Sequence, residues 1–286
     1  MTTLIPGYST EQIAGLSTRT LTRLTSEDWA AFSSDQIMAL TTKQFASLGS
    51  FAISSLSSDQ VAFIQTDDLR ALSSAAIRTL DDAKLGNLSS DQLGSLTTAQ
   101  VNSLTSSQIH NLSTEDLNAF TTAQFKAISS AQMAALSSDQ VAALTSEDFA
   151  AIGTAGMRGL NSAQLSSLTT DQVVALTTAQ AASLTSAQIT GLSSDHLASM
   201  ATDDLKAIST AALRSLNSDQ LGALSSDQMA ELTTAQVNAL TSTQIQTLST
   251  EDLNALTALQ FKAISSGQVA AMTTDQIAAL TTDDFA

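Results

Sequence analysis

Apolar residues return along this chain with a period of eight. Every multiple of eight from Tyr8 to Leu280 is apolar, as in Leu16, Leu24, Phe32 and Leu40, and the register never slips. The fifth place of each octad is apolar too, from Ile5, Ile13, Leu21 and Trp29 to Phe285, with Ala181 its smallest member. The first place is Ser or Thr almost throughout. Gly49, Asp81, Gly153, Asn161 and Asn217 replace it with other helix-capping types, and Met1, Gln65 and Ala201 depart from it. The fourth place is mostly Gln, with Asp at seven octads, and the seventh is usually small.

This order spells a helix start. A Ser or Thr followed three residues later by Gln or Asp is a capping box: the hydroxyl accepts from the fourth-place N–H and the fourth-place side chain reaches back to the cap N–H. The apolar residue before the cap and the one at the fifth place form a hydrophobic staple across it. The pattern predicts one helix of about five to seven residues per octad, roughly 9 Å long at 1.5 Å per residue. A β-solenoid is the rival. It asks for two-residue alternation and β-branched or aromatic residues, whereas the polar places here hold Ala, Gln, Asp, Ser and Asn. Helices under about 12 residues are marginal alone in water, so stability must come from stacking neighbours. The expectation is an all-α solenoid over residues 1–286, of about 36 equivalent units, forming one continuous spiral rod.

A longer repeat lies above the octad. Residues 97–150 match 233–286 at most positions, an offset of 136 residues or seventeen octads. Seventeen is odd, so two alternating helix types would have exchanged roles in the duplication. The units are therefore read as equivalent.

Charge then narrows the chemistry. There are 11 basic against 27 acidic residues, net −16, which argues against a phosphate-backbone partner. No Cys is present, so there is no disulfide or thiolate metal site. No apolar run approaches the roughly 18 residues of a membrane span, and the start, MTTLIPGYST, lacks the features of a Sec signal peptide. His110 and His196 are the only histidines, 86 residues apart. Adjacent acids such as Glu27–Asp28 and Asp67–Asp68 point about 100° apart on a helix and do not converge on one cation. No catalytic residue, metal ligand or cofactor is expected.

Five of the fourth-place acids have a base ten residues on: Asp68 and Arg78, Asp116 and Lys126, Asp148 and Arg158, Asp204 and Arg214, Asp252 and Lys262. These are read as ion-paired buttresses between neighbouring helices, setting register more than stability. Met38, Phe51, Phe63, Val174 and Leu259 put apolar side chains at polar places. Phe51, Phe63 and Leu259 are candidate contacts with another molecule. Neither end reads as a polar cap, so a head-to-tail contact is expected, with Phe285 of one copy near Ile5 or Tyr8 of the next.

Units such as LTTAQVNAL, LTSAQITGL and LTTDQIAAL resemble the octapeptide-repeat stretches of very large secreted bacterial proteins, labelled adhesins, type I-secreted repeat proteins or haem-utilisation proteins. The resemblance covers nearly the whole chain and implies a secreted or cell-surface setting with type I-like export. The haem label has no support in these residues. The chain departs from such proteins in being short, and its last unit, TTDDFA, is a truncated octad. The expected role is structural and non-enzymatic: a stalk or self-assembling filament whose partners are other copies of itself or further cell-surface proteins, with no nucleic acid and no membrane insertion. The alternative is a protein- or peptide-binding solenoid. Its monotonous second and third places offer few of the residue types that dominate binding.

Overall fold

A computed structural model describes residues 3–281. Among them are 34 short α-helices, one 3₁₀ turn at Ile5–Gly7, and no strand. The helices follow the octads. In Ser34–Met38, for example, Ser33 is the N-cap, its Oγ accepts the Gln36 N–H at 3.3 Å, and its own N–H donates to Gln36 Oε1 at 3.0 Å. The same reciprocal box closes at Thr97 with Gln100, Ser137 with Gln140, and Thr233 with Gln236. Asn161 and Asn217 serve equally well as caps.

The helices run four to six residues, a residue shorter than the pattern predicts. The reason lies at the exit. The eighth-place N–H bonds to the fifth-place carbonyl, as Leu40 does to Ile37 at 3.2 Å and Leu104 to Val101 at 3.1 Å. That i→i−3 bond tightens the last turn. The chain then extends through the eighth place and the next cap, with ψ of 140° at Leu104 and 159° at Thr105. No described residue has positive φ, so this exit needs no left-handed glycine of the kind that commonly ends helices.

Both apolar places turn inward. Val101, Ile109, Leu117 and Phe125 at the fifth place are fully buried, and Leu104, Leu112 and Phe120 at the eighth nearly so. Each buried aliphatic contributes about 1.5–3 kcal/mol, which is what holds helices too short to stand alone. Packing recurs three octads on: Ser106–His110 lies against Ser130–Ala135, and Thr178–Ser183 against Thr202–Ala207. Side-chain to backbone bonds between octads span 25 to 31 residues. The chain thus returns upon itself between three and four octads along.

The contacts divide the chain into two compact units, Met1–Leu144 and Thr145–Ala286, a division that falls between octads. The first carries the larger aromatic core: Trp29 stacks on Phe32 with ring centroids 5.0 Å apart, and Phe120 meets Phe125 edge-on at 6.1 Å. In the second, Phe149 is the largest fully buried side chain. Each is a solenoid-like stack of the same octad.

Candidate functional site

The most developed polar feature is a ladder of fourth-place glutamines. In Gln132 the Oε1 accepts the Ser129 N–H at 2.9 Å, closing the cap of its own helix. Its Nε2 donates to the Val101 carbonyl at 2.8 Å and the Leu104 carbonyl at 2.9 Å, 31 and 28 residues earlier. The Val101 carbonyl already accepts the Leu104 N–H and takes the amide as a second donor, while the Leu104 carbonyl, just past the helix end, gains a donor from it. Gln100, Gln124, Gln180, Gln236 and Gln276 repeat the arrangement at the same separations. One amide therefore satisfies the start of one helix and the end of another. Gln132 is 2 % exposed, so its bonds form where water does not compete.

Sequence reasoning found the half of this that faces the cap and missed the amide donors. The signal was present: the fourth place is never Glu. A capping box accepts Glu as readily as Gln, but a carboxylate has no N–H for the carbonyls below, so the octads with Asp go without that amide bond. His196 is consistent with this requirement. Its Nδ1 accepts from the Ser193 N–H at 3.2 Å and its Nε2 lies 2.9 Å from the Leu168 carbonyl, which fixes the Nε2–H tautomer. It is an imidazole standing in for an amide. His110 stays on the surface, a ring nitrogen 2.7 Å from the Ala135 carbonyl, where Asn102 and Asn118 make the equivalent 25-residue bond.

The aspartates behave in two ways. Asp116 and Asp252 complete boxes with Ser113 and Ser249. Asp68 and Asp204 belong to the octads whose caps are Gln65 and Ala201 and make no side-chain cap bond. Asp68 instead accepts the Thr42 hydroxyl at 2.7 Å. Asp148 accepts from Thr145 at 2.6 Å. Burial raises the carboxyls of Asp68, Asp148 and Asp204 above the usual aspartate value; their hydroxyl partners oppose the shift, and the neighbouring acid adds to it.

Among the described residues, four of the five buttress pairs are not joined by an ion pair. The ion pairs that the described residues record join Lys84 to Asp81, and Lys206 to Asp203 and Glu231. Asp68–Arg78, Asp116–Lys126, Asp148–Arg158 and Asp204–Arg214 are not among them. Asp252 gives its carboxylate to Ser249, and Lys262 lies on the surface. The physical reason is burial: Asp68, Asp148, Asp204 and Asp252 are buried at the fourth place and Asp116 half-buried, while the bases at the sixth place face solvent.

Of the assembly candidates, Phe51, Phe63 and Leu259 are exposed at 60 %, 43 % and 70 %, on three separate helical octads. Ile5 is buried, with Gln36 Nε2 on its carbonyl at 2.9 Å, so it is not a surface contact. Tyr8 is half-buried, and Phe285 lies outside the described residues. Two hollows flank these segments. One of about 340 Å³ is lined by Leu4, Tyr8, Leu16 and Leu24 among others. One of about 430 Å³ is lined by Phe261, Val269, Met272, Ile277 and Leu280. Val269 and Ile277 are 48 % and 53 % exposed, where Val237 and Ile245 at the same octad place are fully buried. Among the described residues no group of three or more His, Asp or Glu could hold a metal ion, and no helix is long and apolar enough to cross a membrane.

The family model described as the ALTTAQ repeat matches six stretches, residues 61–98, 85–114, 110–146, 143–178, 197–234 and 248–282, which together take in more than half of the chain. No curated protein matches it.

Proposed function

The chain belongs to the ALTTAQ repeat family, and from that premise we propose that it is a non-enzymatic structural element: one continuous spiral of about 36 equivalent octads that lengthens by stacking on further copies of itself. The observation that carries the reading is how the residues are used. First-place hydroxyls are consumed in capping each helix, and fourth-place amides and both apolar places in holding octad to octad. The proposed setting, secreted or at the cell surface, follows from the resemblance to octapeptide stretches of large exported proteins.

The stacking partner is a second copy. Fifth-place residues lose cover at Val269 and Ile277, and eighth-place residues Tyr8, Leu16 and Leu24 are only half-buried where their later equivalents are buried. These are apolar side chains that such a contact would bury. Such a contact is heterologous and propagates. Sedimentation velocity and negative-stain imaging across a concentration series test this. Wild type is expected to grow into end-to-end fibres, and Val269→Asp with Ile277→Asp to stay monomeric with an unchanged helical spectrum. Fibres unaffected by the double substitution, or a monomer at every concentration, would overturn the stacking. Stoichiometric capture of one unrelated protein by the monomer would favour a binding scaffold instead.

A further inference from the structure

The glutamine ladder leaves a donor free at one place and acceptors free at another. Gln36 is the earliest fourth-place amide with carbonyls beneath it, those of Ile5 at 2.9 Å and Tyr8 at 2.8 Å. Gln12 precedes it. Its Oε1 accepts the Ser9 N–H at 2.8 Å, so its capping box is closed. Its Nε2 meets no acceptor among the described residues, and its side chain is exposed where Gln44 and Gln124 are buried.

The acceptors lie at the latest octads. Gln268 donates to the Val237 and Leu240 carbonyls, both at 2.9 Å, and Gln276 to those of Ile245 and Leu248, both at 2.8 Å. The same places further on are Val269 with Met272 and Ile277 with Leu280. Among the described residues they receive no side-chain amide. The Val269 carbonyl takes the Met272 N–H at 3.1 Å, as Val101 takes that of Leu104 at the same distance, and a carbonyl has a second lone pair to give. Val269 and Ile277 are also the fifth-place side chains that lose their cover.

We propose that Gln12 of one copy is the rung that locks two copies together, its Nε2 donating to the Val269 and Met272 carbonyls of the copy before it. This rests on the end-to-end stacking proposed above and fixes its register. Within the chain an amide reaches carbonyls 28 and 31 residues back, in the fourth octad before its own. Giving Gln12 these two carbonyls sets octad 9–16 four octads past 265–272, and octad 1–8 directly after 281–286. One octad closer would lay 1–8 over 281–286, and one further would leave a whole octad empty. A second copy suits the place because it brings a closed capping box with a free amide, and Ile13 buried beside it, as every internal rung does. Ile277 and Leu280 then fall under octad 17–24, whose fourth place is Thr20. Its hydroxyl lies 2.8 Å from that of Ser17 and it carries no amide. The joint therefore has one hydrogen-bonded rung, and the rest of it is apolar: Tyr8, Leu16 and Leu24 on one side, Val269 and Ile277 on the other.

The concentration at which the full chain begins to pellet as fibres tests the rung. Gln12→Glu keeps an oxygen for the Ser9 N–H but has no donor, so this concentration should rise about tenfold or more. The urea midpoint of the monomer should stay at the wild-type value, because the side chain is exposed there. Thr20→Gln adds no charge and offers a second rung, to Ile277 and Leu280, so it should lower the concentration about tenfold. A third measurement needs no substitution. In fibres grown from equal parts of ¹⁵N-labelled chains and chains ¹³C-labelled at the Val and Met carbonyls, solid-state NMR should show the Gln12 Nε2 against Val269 and Met272 across copies. Three results would each remove the rung and leave the stacking standing: Gln12→Glu pelleting at the wild-type concentration, Thr20→Gln leaving it unchanged, or mixed fibres without that contact. A wild type that stays monomeric at every concentration would remove both.

Discussion

Replacing Gln132 by Glu isolates the half of the ladder that the octad pattern does not reveal. Glu keeps an oxygen for the Ser129 N–H, now 2.9 Å from Oε1. It loses the donors to the Val101 and Leu104 carbonyls at 2.8 and 2.9 Å and sets a second oxygen against them. With the site 2 % exposed, water cannot repair the loss. Leaving a buried charge without its partner costs about 3–5 kcal/mol. Gln132→Ala loses both roles without adding charge, leaving a cap N–H and the Leu104 carbonyl short, at about 1–3 kcal/mol for a buried unsatisfied group. The two variants are separated by pH. At pH 7 Gln132→Glu should be the less stable. As pH falls through its raised folded pKa, the carboxyl gains an O–H for one carbonyl and stability returns toward wild type. Gln132→Ala should differ from wild type by the same amount throughout. Urea unfolding followed by far-UV circular dichroism, repeated from about pH 4 to pH 8, reads both curves. If Gln132→Glu matches wild type at pH 7, or its deficit ignores pH, the amide is not fastening those carbonyls.

Other substitutions probe the remaining elements. Leu104→Ala and Leu240→Ala, each 3 % exposed, should cost roughly 2–5 kcal/mol by the same urea assay, and indifference to both would remove the eighth place from the core. His196→Gln restores the amide at a site that already bonds both Ser193 and Leu168, so its melting temperature should equal or exceed wild type; a marked loss would mean the imidazole does something the ladder does not explain. Ala201→Ser should gain about 0.5–1 kcal/mol from a new cap hydroxyl, read from the urea midpoint, and a loss would show that Asp204 depends on the uncapped start.

The octad pattern made the fold legible because each place has a single job. Thr97 and Gln100 form the cap and its box, and Val101 and Leu104 the core, in the structure as in the sequence. What stayed hidden is what only the return of the chain decides. The bond from Gln132 to Leu104 spans 28 residues, and nothing local tells how many octads pass before one helix overlies another. Spacing alone was no guide to the recorded ion pairs either. Asp68 and Arg78 share a spacing in sequence, but one faces the interior and the other solvent. His196 reads as an outlier until the task of its neighbours is known.

The side-chain amides themselves test the account most directly. In a ¹H–¹⁵N spectrum, the Nε2 protons of Gln132 and Gln236 should exchange slowly with solvent and couple through the hydrogen bond to carbonyls 28 and 31 residues earlier. Those of Gln12, which is exposed, should exchange at the free rate. Equal, rapid exchange at all three would mean that no ladder joins the octads.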